Sequence, residues 1–319
     1  MDYDLNTNVS VSIIICCFNS AKRLPETLQH LMAQEVPAKI PWEVIVVDNG
    51  SSDNTSQIAK ELWQSDVPFR AVPEPKVGLS NARNRGLRES KGNLICFIDD
   101  DVWPHVDWLK NMVEFAIHSD ADAICGKVII PNHLTRPWME KIHRTKLAST
   151  ENIDPGNPLE IIGANMAIKR VVLDKVPQFD PELGAGASGF GEESLFSRQV
   201  LTAGFKIGFA EKAVVEHHFE ERRLLRSEWL MGEQKRGIGN AYITYNWEHK
   251  VIHKPLFEYM RNKLRLFRWR FTHQQEVNVI EGCSIEELRL VRRISTLKHY
   301  LIFRRKPRCY TYHGLVKLA

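Results

Sequence analysis

Three consecutive carboxylates, Asp99, Asp100 and Asp101, follow the apolar run "LICFI" of residues 94–98. Adjacent acids repel one another, and a divalent cation relieves that repulsion; hard carboxylate oxygens suit Mg2+ or Mn2+. Side chains alternate along an extended chain, which puts Asp99 and Asp101 on the same side and Asp100 on the other. An ion held there could neutralise charge developing on a departing phosphate. A solvated acidic turn gives the same three letters. The metal reading gains weight from the buried strand that leads into the cluster.

The elements that must position these acids are written in the pattern of apolar residues. "VSIIICCF" (Val11–Phe18) and "WEVIVVD" (Trp42–Asp48) are continuous β-branched runs, as in strands buried on both faces. Leu24, Leu28 and Leu31 fall at helical spacing after the first run, and "SQIAKELWQ" reads as a helix after the second. "FRAVP" predicts a third strand, "GLSNARNRGLRES" a loop and helix, "NLICFIDDD" a fourth strand, and "VDWLKNMVEFAIHS" the next helix. Strands alternating with helices predict an α/β fold with a doubly wound, mostly parallel sheet. Ligands of such sheets sit beyond the carboxyl ends of the strands, where Asn19, Asp48 and Asp99–Asp101 fall. Further on, "DAICGKVIIP" predicts a strand and "PLEIIGANMAIKRVVLDKV" a strand then a helix. "GAGASGFGEESLFSRQVLTAG" reads as a glycine-rich loop entering a helix, and "KIGFAEKAVVEHHF" as a strand ending at His217 and His218.

Taken in order, "VSIIICCFN", "EVIVVDNGSSDNT", "GLSNARNRGL", "GNLICFIDDD", "IIGANMAIKR", "GFGEESLFSRQVLTAGFKI" and "VVEHH" resemble the family 2 glycosyltransferases, nucleotide-sugar enzymes of GT-A fold. The likeness covers roughly Val9 to Arg236. It departs at the end of the first strand, where Cys16-Cys17-Phe18-Asn19 lacks the family's proline. The resemblance implies that Cys17 and Asn19 offer backbone to the nucleotide and that Asp48 binds the base, although an aspartate in "DNGSSDNT" also suits a turn. It implies that Gly78 lets the chain approach the ligand and that Arg83 forks onto the nucleotide or diphosphate. It implies that Asp101 meets the metal, that Asp99 meets ribose or metal, with Asp100 beside them, and that Asn165 binds a sugar hydroxyl. "GEE" matches the family's acidic pair, whose second member, here Glu193, deprotonates the acceptor hydroxyl; Glu192 is the alternative. Acids also favour a helix's first turn without any catalytic duty. His217, or His218, would complete the metal site, and a core or surface histidine is the plainer reading of either.

Overall, the sequence predicts a GT-A catalytic domain over 1–247, with a nucleotide-binding half at about 9–130 and an acceptor half at about 131–247. A basic, mostly helical tail is predicted over 248–319. The expected activity is inverting transfer of a sugar, from a UDP-sugar by preference, to a glycan or lipid-linked acceptor in polysaccharide or glycolipid synthesis. The chain has 319 residues, 43% hydrophobic and 26% charged, as a globular protein would. Its net charge of +4 gives no case for nucleic acid. Six scattered cysteines form no CxxC pair, which argues against zinc and redox motifs. "MDYDLNTNVS" lacks a signal-peptide pattern and no apolar run approaches membrane-spanning length, so a cytoplasmic location is expected. Residues 261–308 hold thirteen Lys or Arg against four acids. Phe257, Met260, Leu264, Phe267 and Phe271 recur at spacings of three and four within this region's helix, an amphipathic stripe with basic edges. Over 256–271 it could lie on an anionic membrane surface or pack on the domain. A dinucleotide oxidoreductase would need GxGxxG after the first strand, and "CCFNSAKRL" has no glycine. A nucleotidyltransferase would carry a glycine-rich basic loop there. An inactive sugar-nucleotide-binding or membrane-binding scaffold is the non-enzyme alternative, and the intact acids argue against it.

Overall fold

The computed structural model describes residues 9–318. The first part comprises β1 (Val11–Cys17), α1 (Leu24–Met32), β2 (Trp42–Asp48), α2 (Thr55–Leu62), β3 (Phe69–Pro73), α3 (Leu79–Glu89) and β4 (Leu94–Asp99). There follow β5 (Val102–Pro104), α4 (Trp108–His118), β6 (Ala123–Ile129), α5 (Lys141–Lys146), β7 (Asn165–Lys169), α6 (Glu192–Thr202) and β8 (Ile207–His217). The remaining helices are α7 (Arg226–Asn246), α8 (Pro255–Thr272), α9 (Gln274–Val277) and α10 (Ile285–Phe303).

All eight strands join one sheet in the order β3-β2-β1-β4-β7-β6-β8-β5. β1, β2, β3 and β4 are mutually parallel, and β6 runs parallel to β8. β7 is antiparallel to both neighbours, and the short β5 is antiparallel to β8. The sheet is covered on both faces, which is why its strands read as unbroken apolar runs. Ile13 and Ile15 pack with α1, α2 and α4 on one face; Ile14 packs with α3 and α6 on the other. β5 was not legible in the sequence: only three residues long, it turns back straight after Asp101 and pairs Val102 with His217. That pairing brings the aspartates and the histidine together.

The predicted helical tail after Glu248 packs in part against the rest of the protein. α10 lies along α7, where Gly237 makes the approach possible: a Cβ there would stand 2.5 Å from that of Ser295. Ser295 Oγ donates to the Gln234 carbonyl at 2.7 Å. Near the C-terminal end, Tyr310 and Lys317 reach Asp180 at 2.8 and 2.9 Å, and Tyr242 of α7 meets the same carboxylate at 2.6 Å. Gln199 of α6 donates to the Gly314 carbonyl. α8 behaves differently. Arg270 ties its end to Glu287 of α10 at 2.7 Å, yet Phe257, Met260, Leu264, Phe267 and Phe271 all face solvent. No helix among the described residues is long and apolar enough to cross a membrane.

Candidate active site

Asp99 closes β4, Asp101 stands two residues on, and His217 closes β8. One ligand atom from each lies within 4.8 Å of the others. The buried imidazole is fixed by its Nδ1–H, which donates to the Leu147 carbonyl at 2.7 Å. In the neutral ring Nε2 therefore carries a lone pair. It faces Asp101 Oδ1 at 3.3 Å, and Arg223 Nη1 donates to it at 3.3 Å. Two electron-rich atoms turned toward one another, with the ring's other nitrogen anchored to the backbone, form a donor set that fits a divalent cation. His218 points elsewhere: it stacks on Trp103 and meets Glu216 at 2.9 Å.

Electrostatics separates the three aspartates. Burial pushes the Asp99 carboxyl up, and the Asp101 charge adds to the rise. Burial and Asp101 likewise push Asp100 up to about 6, against the pull of Arg23. Burial acts on Asp101 too, but its contact with His217 and the charges of Arg223 and Arg23 outweigh it and hold Asp101 below the usual carboxylate range. Asp100 commits Oδ2 to Ser20 and to Arg23, the latter at 2.9 Å, which anchors the cluster to the start of α1.

The three aspartates line a cleft of about 310 Å³ together with Cys17, Gly78 and Arg223. Gly78 sits at the start of α3 with φ +133°, a conformation that glycine tolerates, and its N–H donates to Asn49 Oδ1 at 2.8 Å. Asn49 also donates to the carbonyls of Glu74 and Lys76 and so fixes the loop between β3 and α3. Asn19 and Asp48 stand at the neighbouring ends of β1 and β2, outside the lining of this cleft. The Asn19 side chain accepts from Ser52 N, and Asp48 accepts from Ser51 N at 3.0 Å.

Arg83, expected on the nucleotide or diphosphate, meets two glutamates in this structure. Its guanidinium is 2% exposed and clamped between two glutamates, Nη1 on Glu192 at 2.9 Å and Nη2 on Glu193 at 2.8 Å. Both acids begin α6. Glu192 also accepts from Gly191 N, so each of its oxygens is engaged. Glu193 is the more open of the two, with Oε1 on Arg83 and no hydrogen-bond partner at Oε2 among the described residues. Burial raises its carboxyl to about 7; Glu192 and Asp99 add to the rise, and Arg83 opposes it. Gly163 makes the clamp possible, because a Cβ there would stand 2.0 Å from both Arg83 Nη2 and Glu193 Oε1. Asn165, expected on a sugar hydroxyl, is fully buried: it accepts from Trp108 Nε1 and donates to the carbonyls of Lys127 and Ala213, which leaves it a structural part of the sheet.

Sequence reasoning missed Arg23, Arg223, Asn49 and the steric duty of Gly163. The arginines lie in unpatterned stretches, "SAKRL" and "EERRL", where no local period marks them. The "GAN" segment was singled out, but not for the room that its glycine leaves.

A mostly parallel sheet with carboxylates gathered at its strand ends is the framework expected of a glycosyltransferase of GT-A fold. The Glycosyl transferase family 2 model matches residues 12–176, and the chain belongs to that family. Among its relatives, the glycosyltransferase AglE of Haloferax volcanii is 28% identical over 227 residues, 70% of this chain and 72% of its own. The succinoglycan biosynthesis protein ExoM of Rhizobium meliloti is 30% identical over 224 residues, 68% of this chain and 70% of its own. Among solved structures, the mannosyltransferase PcManGT of Pyrobaculum calidifontis, in complex with GDP-Man and Mn2+, is similar in fold. Its TM-score is 0.57 at 16% identity, covering 94% of this chain and 72% of that one. TarS of S. aureus in complex with UDP gives a TM-score of 0.50 at 16% identity, over 93% and 91% of the two chains.

Proposed function

We propose that this glycosyltransferase transfers a sugar, with inversion, from a nucleotide-diphosphate sugar to a hydroxyl of a glycan or lipid-linked acceptor. The observation that carries this reading is the meeting of two kinds of carboxylate in one region of the sheet: a cation-demanding set and a single open one held near neutrality. Asp48 would take the nucleotide base, with Cys17, Asn19 and Gly78 offering backbone near it. Asp99, Asp101 and His217 would hold Mn2+ or Mg2+, which when bound supplies countercharge to the departing diphosphate. Arg223, on the cleft wall, adds positive charge on the same side. Glu193 Oε2 takes the proton of the acceptor hydroxyl as the hydroxyl oxygen attacks the anomeric carbon from the face opposite the leaving group, and the anomeric C–O bond to the diphosphate breaks. A carboxyl held near 7 is suited to that exchange at neutral pH. Arg83 acts through Glu193: it fixes the carboxylate and leaves one oxygen open.

The bare apolar stripe of α8, edged by Arg261, Arg265 and Lys263, suits the surface of an anionic membrane. The proposed setting is therefore the cytoplasmic face of a membrane, with acceptors of polysaccharide or glycolipid synthesis. PcManGT with its GDP-sugar and TarS with UDP support a nucleotide-sugar donor and leave the choice of base to experiment. The test is a screen of UDP- and GDP-sugars with Mn2+ or Mg2+, reading nucleotide release and the anomeric configuration of the product. Release from one donor, with an inverted product, is expected. Retention of configuration, or release unaffected by Glu193→Gln, would remove Glu193 from its role.

A further inference from the structure

A second cavity, of about 410 Å³, lies between α6, α7 and α10. Arg198 of α6 and Arg289, Arg292 and Arg293 of α10 line it, and Asn240 and Thr244 of α7 add neutral polar groups. The α10 arginines recur at helical spacing and so share one face. The nearby acids are already oversubscribed. Glu248 meets Arg198 at 2.7 Å and Lys250 at 3.2 Å. The fully buried Glu233 meets Lys146, Arg236 and Arg292. Two carboxylates thus answer five cations, and neither Arg289 nor Arg293 has an acidic partner among the described residues. Lys146 responds to the same imbalance: burial, reinforced by the Arg236 and Arg292 charges, pushes its ammonium down to about 8 even though Glu233 pulls the other way.

Cations gathered around a cavity call for a counter-anion. Guanidinium groups fork onto the oxygens of a phosphate, which makes a phosphate ester the chemistry that fits best. We propose that this cavity is a second anion site, which binds the phosphate or diphosphate ester of a ligand other than the sugar donor. None of its residues takes part in the proposed transfer chemistry, so the site stands or falls independently of that reading.

The test uses the full chain in chelator at constant ionic strength, so that no metal-dependent binding at the aspartates contributes. One arm titrates inorganic pyrophosphate and follows thermal unfolding. The other titrates dihexanoyl phosphatidic acid, a water-soluble phosphate ester that needs no docking of α8 on a bilayer, with dihexanoyl phosphatidylcholine as its control. The exposed pair is changed in Arg289→Gln/Arg293→Gln, with the single Arg293→Gln as a milder form should the double variant fold poorly. Lys206→Gln/Lys212→Gln removes the same charge at exposed positions outside both this cavity and α8. A saturable pyrophosphate effect, weakened about tenfold or more in the α10 variants and kept in the lysine variant, is expected and marks a soluble phosphate ligand. The same pattern with dihexanoyl phosphatidic acid alone marks a lipid headgroup and equally supports the site. Binding that neither α10 variant weakens, binding lost equally in the lysine variant, or no binding in either arm overturns it.

Discussion

At the ends of β4 and β8, two aspartates face one imidazole with a third aspartate close by, whereas within α7 a single buried glutamate, Glu233, has three cations around it. The first region has too few positive charges for its acids. The second has too few acids for its arginines. Neither arrangement is a balanced ion pair of the kind that merely fastens a surface. Arg144 and Glu151, joined one to one by a fork of 2.7 and 2.8 Å, show how this protein builds a charge contact that is complete in itself. Imbalance held in place by a rigid scaffold points to something that arrives from outside: a cation at the aspartates, an anion at the arginines.

The sharpest way to break this contrast is at Asp101. Asp101→Ala, or chelation of the wild type, should reduce nucleotide release by about a thousandfold or more, since charge stabilisation of the leaving group is worth several kcal/mol. Addition of Mn2+ should rescue the chelated enzyme and not the variant. Next comes Glu193→Gln, which should lower kcat by roughly 10²- to 10⁴-fold, with Glu192→Gln costing less. The base must be ionised to accept a proton. Wild-type kcat/KM should therefore rise with pH through about 7 and fall away below it, and this limb should vanish in Glu193→Gln. Gly163→Ala forces its methyl into the Arg83–Glu193 contact and should cost about 1–3 kcal/mol by denaturant unfolding, with a matching loss of kcat. The smallest effect on the fold belongs to α8. Phe257→Ser/Phe267→Ser should stay within about 0.5 kcal/mol of the wild type, because both rings are already exposed. Sedimentation with anionic vesicles should be lost in the same variant.

The strands of the nucleotide half were legible because burial on both faces leaves an unbroken apolar signature, as in Ile13, Ile14 and Ile15. The acids at their ends were legible because a strand that stops in polar residues marks where a ligand can sit. What stayed hidden was long-range polar pairing. Nothing near Arg83 in the sequence says that its partners lie 109 and 110 residues away. Nothing near Asn165 says that its amide is enclosed by Trp108, Lys127 and Ala213. The basic composition beyond Glu248 suggested a helical tail and left open whether it packs on the domain. The contacts that attach it, Ser295 on Gln234 and Tyr310 on Asp180, join residues with no shared period.

The convergence on Asp180 has a mechanical consequence. Its carboxylate collects Tyr242 from α7 and Tyr310 and Lys317 from the far end of the described chain, and it lies in the loop that leads to Glu192 and Glu193. That stretch acts as a clasp. A proteolytic cut ahead of Tyr310 would release two of the three groups at once and slacken the approach to α6.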